Sequence, residues 1–194
     1  MKIGYAQVSF APDFEGALEN CSAASGHVDE MVVVEDGSFT DAMKKRLEDL
    51  GVKVVFKEWN DDFPAFRNAS LEALRQLGCD WCIISDCDEH HSPELWNDLK
   101  SKIVPALEKG GFNQSGVRCF DDFEVVDWLP FDQLDRLKEL PGGSAHETTW
   151  YKNLIFRLYP DVNYSGQGGT IGIGGAKRLT YKCPDCGEME TVYK

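Results

Sequence analysis

The residues best suited to chemistry form an acidic cluster, Asp86-Cys87-Asp88-Glu89, directly after a short apolar run. Its carboxylates supply hard oxygen ligands within a small volume. Mg²⁺ and Mn²⁺ prefer such ligands and complete their coordination with waters and substrate phosphates. The cluster therefore predicts a divalent-metal site that serves a phosphorylated substrate. In a chain this acidic, a solvated loop would carry the same residues, so the cluster alone does not decide between the two.

The elements that must position this cluster alternate between strand-like and helix-like patterns. The predicted strands are residues 3–10, 31–34, 52–56 and 81–84, and the predicted helices fall within 14–24, 39–50, 62–77 and 93–107. Asp62, followed by Pro64, marks the start of the third helix. Such alternation predicts an α/β fold with a mostly parallel sheet. Ligands bind such sheets outside the carboxyl ends of the strands, where Glu35-Asp36 also falls after the second strand.

The pattern changes after this first half. Strands are predicted at 116–120, 124–129 and 154–158, a polar helix at 130–140, a glycine-rich stretch at 166–175 and a tail at 181–194. We expect a single domain over 1–175, consisting of a first half, 1–110, and a shorter second half, 111–175. Residues 176–194 are expected to form a separate C-terminal tail.

Composition narrows the range of partners. Thirty-three acidic and twenty basic residues give a net charge of −13, which disfavours binding by neutralisation of nucleic-acid phosphates. No apolar run approaches the roughly 20 residues of a membrane span, and the N-terminus lacks the apolar core of a secretory signal. Most of the seven cysteines lie in or beside apolar segments, which is typical of reduced thiols. These features predict a cytoplasmic protein without a membrane span.

Cys183 and Cys186 are the two cysteines with the spacing of metal ligands. Two thiolates at this spacing can bind one tetrahedral Zn²⁺, but a structural site needs four ligands. Cys119, His146 or a second chain would have to supply the others. A structural zinc ion at the tail is therefore one expectation, and an empty pair of thiols is the other.

Three segments together resemble family-2-like GT-A glycosyltransferases. The run 32–41, Val-Val-Val-Glu-Asp-Gly-Ser-Phe-Thr-Asp, resembles the family's V-V-D-D-G-S-x-D segment. The run 59–68 resembles W-x-D-D-F-x-x-x-R-N, and the run 79–89 resembles G-D-W-x-x-x-x-D-A-D-E. The three occur in family order with family-like separations. The resemblance covers residues 1–110 well, the following sixty weakly and the tail hardly at all. It implies a three-layer, Rossmann-like GT-A fold with a short C-terminal acceptor region.

The resemblance also implies roles for individual residues. Glu35 and Asp36 would contact the base and ribose of a donor nucleotide, with Ser9 near the same nucleoside. Arg67 would approach the nucleotide, and Asn68 would support the start of its helix; an ion pair and a cap are the competing structural roles. Asp86 would contact the ribose or the sugar and lie at the metal. Asp88 would bind Mn²⁺ or Mg²⁺ directly, with Glu89 outside the ligand set.

The acceptor half is less well defined. Inverting members of the family need a carboxylate that deprotonates the acceptor hydroxyl, and Asp121, Asp122 and Glu147 all remain candidates for this base. Asp121-Asp122 can equally be a polar turn. The segment 152–157 resembles a K-x-x-x-F-R motif, but the histidine that follows Y-x-G in some relatives is missing after Gly166. His146 is a candidate replacement as a metal ligand, and Arg157 or Lys152 is a candidate partner of the diphosphate.

The leading hypothesis is therefore an enzyme that transfers a sugar from a nucleotide-sugar to an acceptor hydroxyl, with a metal ion and with inversion. The acceptor is unspecified: a saccharide, protein, lipid or nucleic-acid base would all provide a suitable group. Alternatives are a catalytically degenerate module that binds nucleotide-sugars, and a metal-dependent nucleotidyltransferase. The stretch 166–175 is expected to be a flap over the donor or a flexible connector.

Overall fold

The computed structural model describes the backbone of residues 1–111, 114–122, 147–165, 170–173, 178–182 and 189–193, and the side chains within 1–111 and 155–164. The chain divides into two compact units. The first unit contains Met1–Ser115 and Leu154–Lys194, and the second contains Gly116–Asn153. The acidic cluster and its supporting elements all belong to the first unit.

Strands and helices alternate through the first half of the chain, as the sequence predicts. The strands are β1 (Ile3–Val8), β2 (Glu30–Glu35), β3 (Val52–Phe56), β4 (Trp81–Ser85), β5 (Gln114–Asp122), β6 (Glu147–Arg157), β7 (Val162–Ser165), β8 (Thr170–Ile173), β9 (Arg178–Lys182) and β10 (Met189–Tyr193). The helices are α1 (Phe14–Ala24), α2 (Asp41–Glu48), α3 (Phe63–Gln76), α4 (Pro93–Asp98) and α5 (Val104–Gly110). A short π-helical segment, Leu99–Ile103, joins α4 to α5.

The central sheet of the first unit is mostly parallel. Its strands lie in the order β3-β2-β1-β4, and each neighbouring pair is parallel. The end of β6 then pairs antiparallel with β4, with Ile155 opposite Ile83 and Arg157 opposite Trp81. This arrangement confirms the predicted α/β class with a mostly parallel sheet. The carboxyl ends of β1, β2 and β4 consequently lie along one edge.

The core forms because the inner strands are apolar on both faces. Every residue of β1 and β4 is buried, as is Met31–Glu35 of β2, which is typical of parallel strands covered on both sides. Helix α3 packs on β1 and β2. Its buried Phe66 and Leu74 belong to the same apolar cluster as Ile84 and Phe156. Each such fully buried side chain contributes about 1.5–3 kcal/mol of transfer free energy, so α3 is held firmly against the sheet.

The second half differs from the sequence-based expectations in several elements. β5 continues through Asp121 and Asp122, so these residues lie in a strand rather than in a turn. β6 begins at Glu147 instead of 154 because the β-branched and aromatic run that follows it favours an extended strand. The expected tail contains an antiparallel hairpin of β9 and β10. The predicted elements 124–129 and 130–140 lie outside the described residues.

The predicted helix 93–107 extends to Gly110, but its backbone changes from α to π geometry and back. Pro105 lies in the first turn of α5 and lacks the N–H that an unbroken α-helix would need there. A π segment is one way in which a helix absorbs such an interruption. Within the described residues, no helix combines the length and the apolar character needed to cross a membrane.

Candidate functional site

The acidic cluster forms a tight loop, residues 86–89, at the carboxyl end of β4. The carboxylate of Glu89 accepts a hydrogen bond from the N–H of Asp86 at 2.8 Å, and the N–H of Glu89 donates back to the Asp86 carbonyl at 3.2 Å. Ser85 Oγ lies 3.5 Å from the same Glu89 carboxylate. Glu89 therefore closes the loop on itself, which is consistent with a supporting role rather than a ligand role.

The side chain of Asp86 pairs with Arg67 of α3. The guanidinium Nη2 donates to Asp86 Oδ1 at 2.6 Å, and the two side chains are 12% and 37% exposed. Arg67 also lies over the rings of Phe63 and Tyr164, at 4.5 and 5.1 Å from their centroids. Because rings and carboxylate together fix the guanidinium, a permanent positive charge is held beside the acidic loop.

Asp88 is the most accessible carboxylate of the loop. It is exposed, and no hydrogen bond or ion pair with a described residue engages its side chain. Among the side chains of 1–111 and 155–164, no group of three His, Cys, Asp or Glu is arranged to hold a metal ion. Mg²⁺ and Mn²⁺ nevertheless fit the donors that are present, because these ions take one or two carboxylates and fill the remaining positions with water and phosphate oxygens.

Cys87 turns inward between the two aspartates. Its thiol donates to the Val8 carbonyl at 3.0 Å. Burial raises the pKa of the Cys87 thiol to about 11, although a hydrogen bond with Ser9 acts in the opposite direction. The thiol therefore stays protonated near neutral pH and ties the acidic loop to the end of β1.

The loop after β2 is organised around a buried carboxylate. Glu35 is fully buried, and it accepts hydrogen bonds from the N–H groups of Gly37 at 2.6 Å and Phe39 at 3.3 Å. Lys44 Nζ lies 3.0 Å from its other oxygen. Gly37 has a φ of 96°, which favours glycine. This geometry favours a role for Glu35 in shaping the loop; the direct nucleotide contact expected from the resemblance stays a prediction.

Asp36 stands at the outer side of the same loop. Its Oδ1 accepts from the Ser38 N–H at 3.0 Å, and hydrogen bonding to Ser38 lowers the pKa of the Asp36 carboxyl. Ser38 Oγ in turn accepts from the N–H of Ala11, which follows β1. Ser9 is buried at the end of β1, with its N–H bonded to the Val34 carbonyl at 3.0 Å. Hydrogen bonds thus join the loops that follow β1, β2 and β4.

Asn68 acts between elements rather than as a helix cap. Its amide donates to the Tyr164 carbonyl at 3.0 Å and accepts from the Tyr164 N–H at 2.7 Å. The cap of α3 is Asp62, which accepts from the Ala65 N–H at 3.0 Å, as the sequence predicts. Asn68 therefore connects α3 to β7 at Tyr164, the residue whose ring contacts Arg67.

Several predicted residues fall elsewhere. Two of them, Asp121 and Asp122, lie in β5, and Glu147 lies in β6; all three belong to the second unit. Their side chains are outside the described residues. The same holds for the side chains of Lys152, His146, Cys183 and Cys186. Arg157 pairs with Trp81 at the amino end of β4, whereas Asp86 follows its carboxyl end. The expectation that Arg157 neutralises a diphosphate at the acidic loop is therefore disfavoured, because the strand separates them.

Sequence reasoning missed two buried amides beneath the acidic loop. Gln7 lies one residue before the end of β1, and Asn20 lies on the buried face of α1 beside Ala17 and Cys21. Buried polar side chains need hydrogen-bond partners. A polar residue at an apolar position of each pattern was the signal that could have identified them.

Comparison with known proteins gives a family match over most of the chain. The model of the family described as glycosyl transferase family 2 matches residues 11–159. A curated TPR repeat-containing protein of Synechococcus elongatus is 33% identical over 87 residues, which cover 44% of this chain and 21% of that protein. The chain thus spans about a fifth of the length of this relative.

The likeness to one solved structure shows the fold. A crystal structure of 4-diphosphocytidyl-2C-methyl-D-erythritol synthase has a TM-score of 0.51 at 14% identity and covers 81% of this chain and 75% of its own. Residues 1–349 of S. aureus TarS have a TM-score of 0.46 at 16% identity, with 85% and 50% covered. The family match covers more than half of the chain and confirms the resemblance carried by the three motifs, so this chain belongs to glycosyl transferase family 2.

Proposed function

We propose that this chain transfers a sugar from a nucleotide-sugar donor to an acceptor hydroxyl, with inversion at the anomeric carbon and with the help of Mn²⁺ or Mg²⁺. The observation that carries the proposal is the loop 86–89, in which an exposed Asp88 stands next to an Asp86 paired with Arg67. The loops that follow β1 and β2 lie at the same edge of the sheet. Membership of the family supports this assignment.

In the proposed site, Asp88 is the direct ligand of the cation and Asp86 the second carboxylate. A bound divalent cation would offset the negative charge that grows on the nucleoside diphosphate as the glycosidic bond breaks. Arg67 adds a fixed positive charge beside the same group. Since the rings of Phe63 and Tyr164 flank the guanidinium, little side-chain entropy is lost when it binds a phosphate.

The nucleoside would lie along the loops after β1 and β2. A low pKa keeps the Asp36 carboxyl ionised at neutral pH, so that it can accept hydrogen bonds from a base N–H or from ribose hydroxyls. Ser9 lies at the end of β1, beside this position. Glu35 holds the backbone that presents Asp36 and so contributes to binding through the shape of the loop.

The acceptor hydroxyl must lose its proton as its oxygen attacks the anomeric carbon and the nucleoside diphosphate departs from the opposite face. A carboxylate performs this step in the proposed mechanism. Asp121, Asp122 and Glu147 remain the proposed bases, and His146 remains a proposed third metal ligand. Single replacements of the three acids, with turnover measured at saturating donor, identify the base as the one whose loss lowers kcat most.

The experiment that tests the proposal is a panel of nucleotide-sugars and nucleoside diphosphates, each with and without Mn²⁺. Thermal stability reports binding, and release of nucleoside diphosphate reports turnover. We expect metal-dependent stabilisation by one class of nucleotide that Asp88→Asn removes. Glu48→Gln is the matched control, since Glu48 is an exposed carboxylate on α2, and its replacement is expected to change nothing.

Each outcome has a defined meaning. Binding without release of nucleoside diphosphate or transfer would favour the degenerate binding module. Release of pyrophosphate from a nucleoside triphosphate and a sugar phosphate would favour a nucleotidyltransferase. If no nucleotide stabilises the protein at any Mn²⁺ concentration, or if Asp88→Asn behaves as the wild type does, the proposal is wrong.

A further inference from the structure

The acidic loop rests on two buried side-chain amides. Gln7, 0% exposed in β1, donates from Nε2 to the Asp86 carbonyl at 3.0 Å. Asn20, 3% exposed in α1, donates from Nδ2 to the carbonyls of Asp86 at 3.4 Å and Cys87 at 3.2 Å. The carbonyls of two successive loop residues, Asp86 and Cys87, thus accept hydrogen bonds from buried side chains on the side of the loop away from solvent.

Helix α1 approaches this loop closely enough to exclude a side chain at one position. A Cβ atom placed on Gly16 would lie 2.5 Å from the Cys87 carbonyl oxygen. Such a distance is shorter than real Cβ contacts, so either the loop or the helix would have to shift. Together with the Cys87 thiol on the Val8 carbonyl, this packing leaves the loop one position relative to β1 and α1.

The energetics favour a specific purpose for the two amides. A polar atom buried without a partner costs about 1–3 kcal/mol. The amide nitrogens of Gln7 and Asn20 avoid this cost because the loop carbonyls accept their hydrogens, whereas Gln7 Oε1 is buried without a hydrogen-bond partner among the described residues. An apolar residue at either position would match the surrounding core better. The amides provide directional hydrogen bonds. Each bond fixes the orientation of a main-chain carbonyl and therefore the direction in which the next side chain extends from the loop.

We infer that Asn20 and Gln7 are positioning residues for the metal ligands: they determine the affinity of the loop for a divalent cation through the carbonyls of Asp86 and Cys87, without touching the ion. The inference rests on the proposed function, because it assumes that Asp88 and Asp86 bind the cation. Loss of a group that orients metal ligands typically lowers affinity by about 10- to 100-fold.

The test compares Mn²⁺ binding by the wild type, Asn20→Ala and Arg75→Gln, by titration calorimetry or by the electron paramagnetic resonance of free Mn²⁺. Arg75 is the matched control because it too is a helix side chain that donates to two main-chain carbonyls, those of Tyr159 and Val162. We expect Asn20→Ala to weaken Mn²⁺ binding by about 10-fold or more. Arg75→Gln should lower stability to urea but leave Mn²⁺ affinity as in the wild type.

A measurement on the metal-free protein separates positioning from general loosening. Hydrogen exchange adds a readout that needs no metal: the peptide containing residues 85–90 should exchange faster in Asn20→Ala and at the wild-type rate in Arg75→Gln. If Asn20→Ala does not fold, Gln7→Met provides the same comparison, since it keeps the length of the side chain without its donor.

The possible failures are distinguishable. A wild type that binds no Mn²⁺, with Asp88→Ala identical to it, overturns the proposed function and this inference together. A wild type that loses Mn²⁺ binding through Asp88→Ala but not through Asn20→Ala or Gln7→Met leaves the proposed function standing and overturns the inference alone. Equal losses of Mn²⁺ affinity in Asn20→Ala and Arg75→Gln also overturn it, because they indicate general destabilisation.

Discussion

At the scale of single residues, the side-chain carboxylate and the main-chain carbonyl of Asp86 have different partners. Its carboxylate pairs with Arg67, while its carbonyl accepts from Gln7. Arg67 likewise has two kinds of neighbour, a carboxylate and two aromatic rings. The planar guanidinium suits both, whereas an ammonium group would keep only the charge.

Arg67→Lys is therefore expected to weaken the binding of a nucleoside diphosphate although it conserves charge. Loss of the fixed guanidinium geometry should cost about 10-fold in affinity, which corresponds to roughly 1.4 kcal/mol. Isothermal titration with the nucleotide that the panel identifies measures this change. Lys53→Arg, at an exposed position of β3, is the control. An unchanged affinity for the nucleotide in Arg67→Lys would mean that Arg67 pairs with Asp86 and does not contact the diphosphate.

Cys87 is expected to resist alkylation. Burial raises the pKa of its thiol from the ordinary 9.0 to about 11, so at pH 8 the thiolate fraction is about 100-fold lower than that of an exposed thiol. The rate of iodoacetamide modification at Cys87, followed by peptide mass spectrometry, should be correspondingly slow and should rise steadily up to about pH 11. A rate at pH 8 equal to that of free cysteine would contradict this burial.

What the sequence predicts at this scale is the identity of exposed acids and of local caps. Asp62 could be assigned as a cap because a capping bond depends on neighbours a few residues away. The burial of Glu35 could not be predicted, since its carboxylate is enclosed only after the chain turns back at Gly37 and Lys44 approaches from α2. Tertiary contacts of this kind leave no local pattern.

At the scale of elements, α3 connects the sheet, the acidic loop and β7. It packs on β1 and β2, directs Arg67 at Asp86 and binds both main-chain polar groups of Tyr164 through Asn68. The four parallel strands and the three helices that connect them follow from apolar periodicity and were predictable. The short strands β7 to β10 were not, because antiparallel pairs of four or five residues depend on partners that a local pattern does not reveal.

Asn68→Ala is expected to destabilise the first unit by about 1–3 kcal/mol, because it leaves the N–H and the carbonyl of Tyr164 without these partners. Urea unfolding followed by circular dichroism measures the change. Asn97→Ala on the exposed side of α4 is the matched control and should stay within about 0.5 kcal/mol of the wild type. Equal effects of the two substitutions would show that the bonds between α3 and β7 contribute nothing.

At the scale of the whole molecule, the net charge of −13 causes the acidic side chains to repel one another across the surface. The acidic loop adds a local repulsion between its own carboxylates. The sequence supplies this total directly. It does not show how the negative charges are distributed, nor that Arg67 and Lys44 are the cations placed beside the two acidic loops. The distribution depends on which loops the strand order brings together.

Because like charges repel across the folded surface, moderate NaCl is expected to raise the midpoint of thermal unfolding by screening them. The increase should be gradual and the same for KCl. In the wild type, Mn²⁺ should raise the midpoint of thermal unfolding with saturation at a low concentration. In Asp88→Ala, Mn²⁺ should raise this midpoint only as a screening salt does. A midpoint that falls with NaCl would show that attractive ion pairs dominate over the net charge.

The bonds from Gln7 and Asn20 to the acidic loop join residues 66 to 79 positions apart in the chain. The loop can therefore acquire its shape only after β4 has paired with β1, so the site cannot form in a partly folded chain that lacks this pairing. An ion that recognises the shaped loop binds the native state and not the unfolded one, and by mass action it stabilises the entire first unit. Occupancy of the loop by an ion therefore reports that the first unit is folded. Mn²⁺ should slow global unfolding and protect strands far from the ion against hydrogen exchange.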